Sequence, residues 1–133
     1  MKVITLWQPW ASWIARGLKT IETRTHHRFA GLVGSRIALH AGQKFDKTAI
    51  DSATPYVDDL DSLTINARHG EIICTAKVCD ACWLDDSHSK AALIDCGNMP
   101  RFGLFLTDIE VVVNSGIIKG KQGIWNWEPY MGF

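Results

Sequence analysis

Hydrophobic periodicity changes twice within the first twenty-four residues of this chain, and that alternation limits what it can fold into. Lys2 to Leu6 is rich in Val and Ile and reads as a strand. Pro9 suits the first turn of a helix, Trp10, Trp13 and Ile14 recur at helical spacing, and Gly17 suits the stop. Lys19 to Arg24 then alternates, which predicts an extended segment. Strand parity would turn Thr20, Glu22 and Arg24 one way and Lys19, Ile21 and Thr23 the other.

The same pattern of short elements continues. Gly31 to Ala41 reads as a strand or a pair of strands ending near His40. Asp46 is placed to cap a short helix over Lys47 to Ser52. Ala53 to Asp61, with Pro55 and three aspartates, reads as a mobile surface loop. Glu71 to Cys79 is the best strand candidate, and Ser87 to Ile94 reads as a short helix ended near Gly97. Phe102 to Leu106 and Asp108 to Val113 read as two strands. Gly116 to Gly123 is a glycine-rich turn, and Ile124 to Trp127 is expected to close the sheet before Pro129. No internal repeat or low-complexity tract interrupts the series. The expected fold is α+β, mainly β: a small, partly closed β-barrel with short helical insertions, the first of which covers one barrel end. One domain spanning 1–133 accommodates it.

Hydrophobic residues make up 47% and charged residues 21%, enough for an ordinary core and incompatible with disorder. No apolar run reaches bilayer length, and Gln8 and Pro9 interrupt any signal-peptide core, so a cytoplasmic protein is expected. The formal net charge is +0, which argues against a strong nonspecific polyanion binder. Its distribution is uneven. Residues 1–50 hold eight Lys or Arg against two acids, and residues 51–100 hold three against nine. Either a local electropositive face or interleaving of the two signs on folding satisfies that count.

Cys79-Asp80-Ala81-Cys82 raises a zinc site, with His88 and Cys96 following. Strand alternation through this segment would send Cys79 and Cys82 to opposite faces, with Cys74, Val78 and Cys82 sharing one. The thiols are expected to be reduced, and neither a metal nor a cofactor is expected.

Thr5 to Arg24 carries the densest chemistry. Indoles stack on bases, Lys and Arg hold phosphates, and Glu accepts from a base edge or moves a proton. Trp7 and Trp10 flank the turn before the helix and are the stacking candidates, whereas Trp13 lies on the apolar stripe and reads as core. Pro9 fixes the turn and lowers the ordering cost of holding an indole in place. Lys19 is a phosphate clamp or an activated amine, Arg24 a phosphate or base contact, and Glu22 orients them or accepts from an exocyclic amine. Gln8 sits between the two indoles. His40 ends a strand and reads either as structural or as a contact; His26 and His27 beside Arg28 form either a phosphate contact or a solvated turn. Lys119 and Lys121 lie in the glycine-rich turn, where backbone N–H groups approach an anion closely, but the spacing is not that of a P-loop.

Leu6-Trp7-Gln8-Pro9-Trp10-Ala11 and Gly17-Leu18-Lys19-Thr20-Ile21-Glu22-Thr23-Arg24 resemble the ASCH family of the PUA-like superfamily. The second block fits the family signature of Gly, one residue, Lys, two residues, Glu, one residue, Arg. Ile37 to Ala41, Gly70 to Asp80 and Gly120 to Trp125 extend the resemblance over nearly the whole chain. It implies a β-barrel with short helices flanking a cleft beside the first helix, and a link to RNA or other nucleic acid. Some members are described as amidohydrolases of acylated cytidines, in which a Lys of this motif works with a Thr three residues later; ribonuclease activity has been proposed for others. Here Lys19 matches that Lys, but the later position is Glu22, so the expected nucleophile is missing.

The resulting expectation is a binder of RNA, single-stranded nucleic acid or a small nucleotide or nucleoside, using Trp7, Gln8, Trp10, Lys19, Glu22, Arg24, His40 and Lys121. The alternatives are a hydrolase of modified nucleosides or RNA, with Lys19 and Glu22 catalytic, and a protein-interaction module whose tryptophans are all buried.

Overall fold

The computed structural model describes residues 1–129. Strands β1 (Lys2–Gln8), β2 (Ile21–Arg24), β3 (Arg36–Phe45), β4 (Ile72–Trp83), β5 (Phe102–Val111) and β6 (Trp125–Asn126) form one sheet in the order β2-β5-β4-β3-β1-β6. Only β1 and β3 run parallel; the other neighbours are antiparallel. Three short helices, α1 (Trp10–Ala15), α2 (Ala49–Ala53) and α3 (Ser89–Ala92), interrupt the strands. Among the described residues no helix is long and apolar enough to cross a membrane.

The expected barrel is not closed by hydrogen bonds: β2 and β6 end the ladder. Two register shifts along β4 and β5, at Thr75/Lys77 and Val78/Asp80, increase the local coiling of the long strands. Ile4, Leu6, Ile37, Leu39, Ile73, Val78, Leu104 and neighbours pack inside the curl, with Ala11 and Ile14 of α1 joining them. Trp13, on the adjoining side of α1, is buried against Ala49, Ala53, Leu63 and Leu93. One short helix thereby ties the sheet to the segment after β3.

Several segments differ from expectation. Residues 102–111 form one strand, because Asp108 takes a φ of 51° and bends the chain without ending the pairing. The segment expected to be a mobile loop forms two 3-10 turns, Thr54–Tyr56 and Leu60–Leu63. Leu63 is buried there, and the Asp59 carboxylate accepts from Asp61 N–H at 3.0 Å. The helix expected over Ser87 to Ile94 is a 3-10 turn at Asp86–His88 followed by α3, stopped by the left-handed Leu93. Cys79 is exposed while Cys74 and Val78 are buried, and among the described residues no three His, Cys, Asp or Glu side chains group as a metal site.

Strand β2 matters most for position, since it carries Glu22 and Arg24 at the end of the ladder. Thr23 pairs with Gly103. A Cβ at Gly103 would lie 2.6 Å from Leu84 Cδ2 and 2.8 Å from Ile21 Cγ2. Gly103→Ala is therefore expected to destabilise the fold by about 1–3 kcal/mol, the usual cost of overpacking. A urea midpoint unchanged from wild type would show that β2 is not packed this tightly.

Candidate functional site

In sheet order three strands separate β1 from β2, yet Thr5 and Trp7 of β1 and Glu22, Thr23 and Arg24 of β2 line one hollow. The sheet curls until these strands face each other and leaves a seam where a barrel would have a ladder. Trp10 of α1, Lys19, Asp46 and Arg101 complete the wall of a cavity of about 290 Å³. That is near the lower end of ligand pockets, roughly 300–1,000 Å³.

Strand parity put Lys19 opposite Glu22 and Arg24. The structure brings all three together, because Lys19 belongs to the turn leaving α1 and not to the strand. Its N–H donates to Trp13 O at 3.2 Å, and regular pairing starts only at Ile21. Lys19 is 1% exposed. Its ammonium donates to Ala92 O at 2.5 Å and lies 4.7 Å from the Trp10 ring centroid. Burial lowers its pKa from 10.5 to about 8, against the opposing pull of the Glu22 carboxylate. Glu22 is itself buried and pairs with Arg24, Nη2 to Oε2 at 3.3 Å. Arg24 lies over Phe29, 5.1 Å from its centroid.

The two indoles differ. Trp10 is locked: its Nε1–H donates to Asp46 Oδ2 at 2.9 Å, and its ring meets Trp13 edge-on at 5.2 Å. Trp7 is 50% exposed, with Lys44 Nζ 5.1 Å from its centroid. It falls in the irregularity between Leu6 and Gln8, where β1 slips register against β3, and such a bulge re-aims a side chain. Trp13 is core, as its position on the apolar stripe suggested.

Gln8 does not line the hollow. It is fully buried, its Oε1 accepts from Ser12 N–H at 3.0 Å, and its amide donates to Ser12 Oγ and Arg68 O, both at 2.8 Å. These bonds order α1 and the segment behind it, and complete burial keeps the side chain from the hollow. His40 is also buried outside the hollow. Its Nε2 lies 2.7 Å from Ile118 O, which can only accept, so Nε2 carries the proton. Nδ1 then accepts from the Thr5 hydroxyl at 3.2 Å, and Thr5 Oγ1 accepts from Trp125 Nε1–H at 3.1 Å. His40 pins the glycine-rich turn to β1. Lys121 lies in that turn and lines a second hollow, with Arg24, His26 and Arg28, against which Trp7 also stands.

Asp46, Thr23 and Arg101 were not singled out as site residues from the sequence. Asp46 had a signal as the cap of a helix over Lys47 to Ser52, but α2 begins at Ala49 with Thr48 at its N-cap; the Asp46 carboxylate instead accepts from Thr48 N–H at 2.9 Å in the turn before it. Burial would raise its pKa, but hydrogen bonds from Thr48 and Trp10 outweigh that and hold it below the usual carboxylate value. Arg101 enters from the loop before β5 and has no local signal; its Nε–H donates to Asp95 O at 2.9 Å.

A model of the ASCH domain matches residues 4–98. Among solved structures, ASCH from Zymomonas mobilis superposes with a TM-score of 0.52 at 19% identity, covering 83% of this chain and 68% of that one. A Ser-to-Ala variant and a Tyr-to-Phe variant of the protein from that organism also give 0.52, each at 18% identity over 83% of this chain and over 69% and 70% of theirs. Likeness at this identity establishes a shared fold. A comparison with curated proteins gives no match. The matched span covers most of the chain and contains both N-terminal motifs and the residues of the hollow up to Ile94, and the chain belongs to the ASCH domain family.

Proposed function

We propose that this protein binds RNA, taking a base into the hollow at the seam between β1 and β2. The observation that carries the reading is the joint presentation of Lys19, Glu22 and Arg24 beside the half-exposed Trp7. Trp7 is half exposed and lines the hollow, available for stacking, whereas Trp10 is held as a wall. Glu22 accepts from an exocyclic amine, the pattern of cytosine or adenine. Lys19 and Arg24 donate to carbonyl, ring or phosphate oxygens. The RNA link that the family resemblance implies supports the choice of ligand, and the modest cavity fits a splayed-out base rather than a duplex.

One observation favours a second reading, a nucleoside hydrolase. Burial brings Lys19 to about 8, where its amine is partly neutral near physiological pH and can act as a base. The nucleophile is the weak point. Glu22 replaces the expected Thr, and the Thr5 hydroxyl is already committed to His40 and Trp125. Turnover of an acylated cytidine that Glu22→Gln abolishes while affinity persists would favour this reading.

Trp7→Ala is expected to weaken binding of short single-stranded RNA by roughly 5- to 150-fold, the equivalent of one lost stack of about 1–3 kcal/mol. Arg24→Ala is expected to weaken it at least tenfold through loss of a charge-assisted contact. Calorimetric titration checks both, with circular dichroism confirming the fold. Unchanged affinity in both variants would remove the base-binding assignment.

The buried Lys19 also ties stability to pH. Its folded pKa of about 8 lies below its ordinary 10.5, so between these values the unfolded chain holds more protons and stability rises with pH. Relative to Lys19→Met, wild type is expected to gain up to about 3 kcal/mol between pH 7.5 and 10.5. Parallel urea curves for the two proteins at those pH values test it; a constant difference would show that Lys19 does not titrate there.

A further inference from the structure

We infer that the second hollow is a phosphate subsite, so that the ligand is a base carrying phosphate on its sugar and not a bare nucleoside. This rests on the base-binding reading only for the group to which the phosphate is attached. The two hollows differ in charge. The first mixes Glu22 and Asp46 with its cations, as a site for a neutral base should. The second, of about 610 Å³, is lined by Arg24, Arg28 and Lys121 with His26 and Gln122, and among the described residues no carboxylate lines it. On a chain of formal net charge +0, three cations converging without an acid form a local anion trap.

Arg24 supplies an independent observation. Its Nε is buried and has no hydrogen-bond partner among the described residues, although Nη2 is paired with Glu22. A buried charged donor left without an acceptor is unfavourable, and a phosphoryl oxygen entering beside it would complete the set. Arg24, Thr5 and Trp7 line both hollows, so a base stacked on Trp7 has its sugar at their common wall. His26 senses the same field. Its pKa is lowered, first by lost hydration and then by Arg28 and Arg24.

The turn bearing Lys121 is anchored. His40 donates to Ile118 O, and Gly120 packs so closely on the imidazole that a Cβ there would lie 2.8 Å from Cε1. Gly123, at φ +70°, turns the chain along the hollow's rim. The two cationic segments that the sequence offers separately, Arg28 and Lys121, thus meet across one cavity.

The phosphate comes either from a free nucleotide or from the diester of a single strand, and the ligands of the test separate these. The full chain is titrated calorimetrically with cytidine, cytidine monophosphate, a short single-stranded RNA and inorganic phosphate, as wild type and as Arg28→Ala/Lys121→Ala. Wild type is expected to bind the monophosphate at least tenfold tighter than cytidine, and the double variant is expected to lose most of that ratio. RNA binding tighter than the monophosphate identifies a strand as the source, and equal binding a free nucleotide; both support the subsite. A ratio near one in wild type, or a ratio the double variant preserves, overturns the subsite and leaves the base hollow intact. Binding of inorganic phosphate and monophosphate, lost in the double variant, with no binding of cytidine, supports the subsite and sinks the base hollow. Binding of none of the four sinks both.

Discussion

The unclosed seam between β1 and β2 is the constraint on which the rest of the molecule depends. Closing a sheet by hydrogen bonds would satisfy the backbone of both strands and leave nothing but side chains inside. Here the curl brings the strands face to face across a hollow while the ladder runs only from β2 through β5, β4, β3 and β1 to β6. Other contacts must hold the two sides. The turn after α1 does much of this: Lys19 reaches Ala92 O, and Thr20 N–H donates to Ala91 O at 2.9 Å. Helix α3 is thereby fastened behind β2, and α1, ordered by Gln8, is fastened to β1.

A buried lysine is a poor choice for that fastening on stability grounds alone. Its ammonium has one carbonyl acceptor, a ring face and a nearby but unbonded carboxylate, and burial outweighs them, as the lowered pKa records. An apolar residue of similar length would fill the same space without desolvating a charge. What the lysine adds is a donor with remaining valences that line the hollow. The same holds for Arg24, whose Nε has no partner among the described residues. Two cations under-satisfied at one seam are what the proposed ligand site rests on.

How far the sequence could be read follows from this. Elements whose cause is local were legible: the Val- and Ile-rich β1, the helix after Pro9, the stop at Gly17, and the core role of Trp13. The chemistry of Lys19, Glu22 and Arg24 was legible as residue types in a family motif, and their convergence was expected from that chemistry although local geometry argued against it. Parity would have separated Lys19 from Glu22, and only the Lys19 N–H bond to Trp13 O, with pairing that starts at Ile21, shows that strand geometry begins later. Gln8 looked like a contact because it lies between two indoles; its amide is consumed by Ser12 and Arg68, and a partner sixty residues away has no local signature. Arg101 escaped for the same reason. The bend at Asp108 was read as a break, since alternation cannot distinguish an irregularity from an end.

Charge needs the same distinction between local and assembled. A net charge of zero argues against a protein that coats polyanions, and the basic first third of the chain argues the reverse. Folding resolves the conflict by position. Arg36 is taken up by Asp108, and Arg16 by the carbonyls of Ser62 and Thr64. Arg24, Arg28, Lys44 and Lys121 instead surround Trp7. At physiological ionic strength a field is felt over about 8 Å, so this cluster acts on what is already at the seam and little on a polymer passing elsewhere. Weak long-range attraction combined with dense local donors is what the proposed recognition of a short ligand by fit and contact requires, rather than accumulation along a duplex.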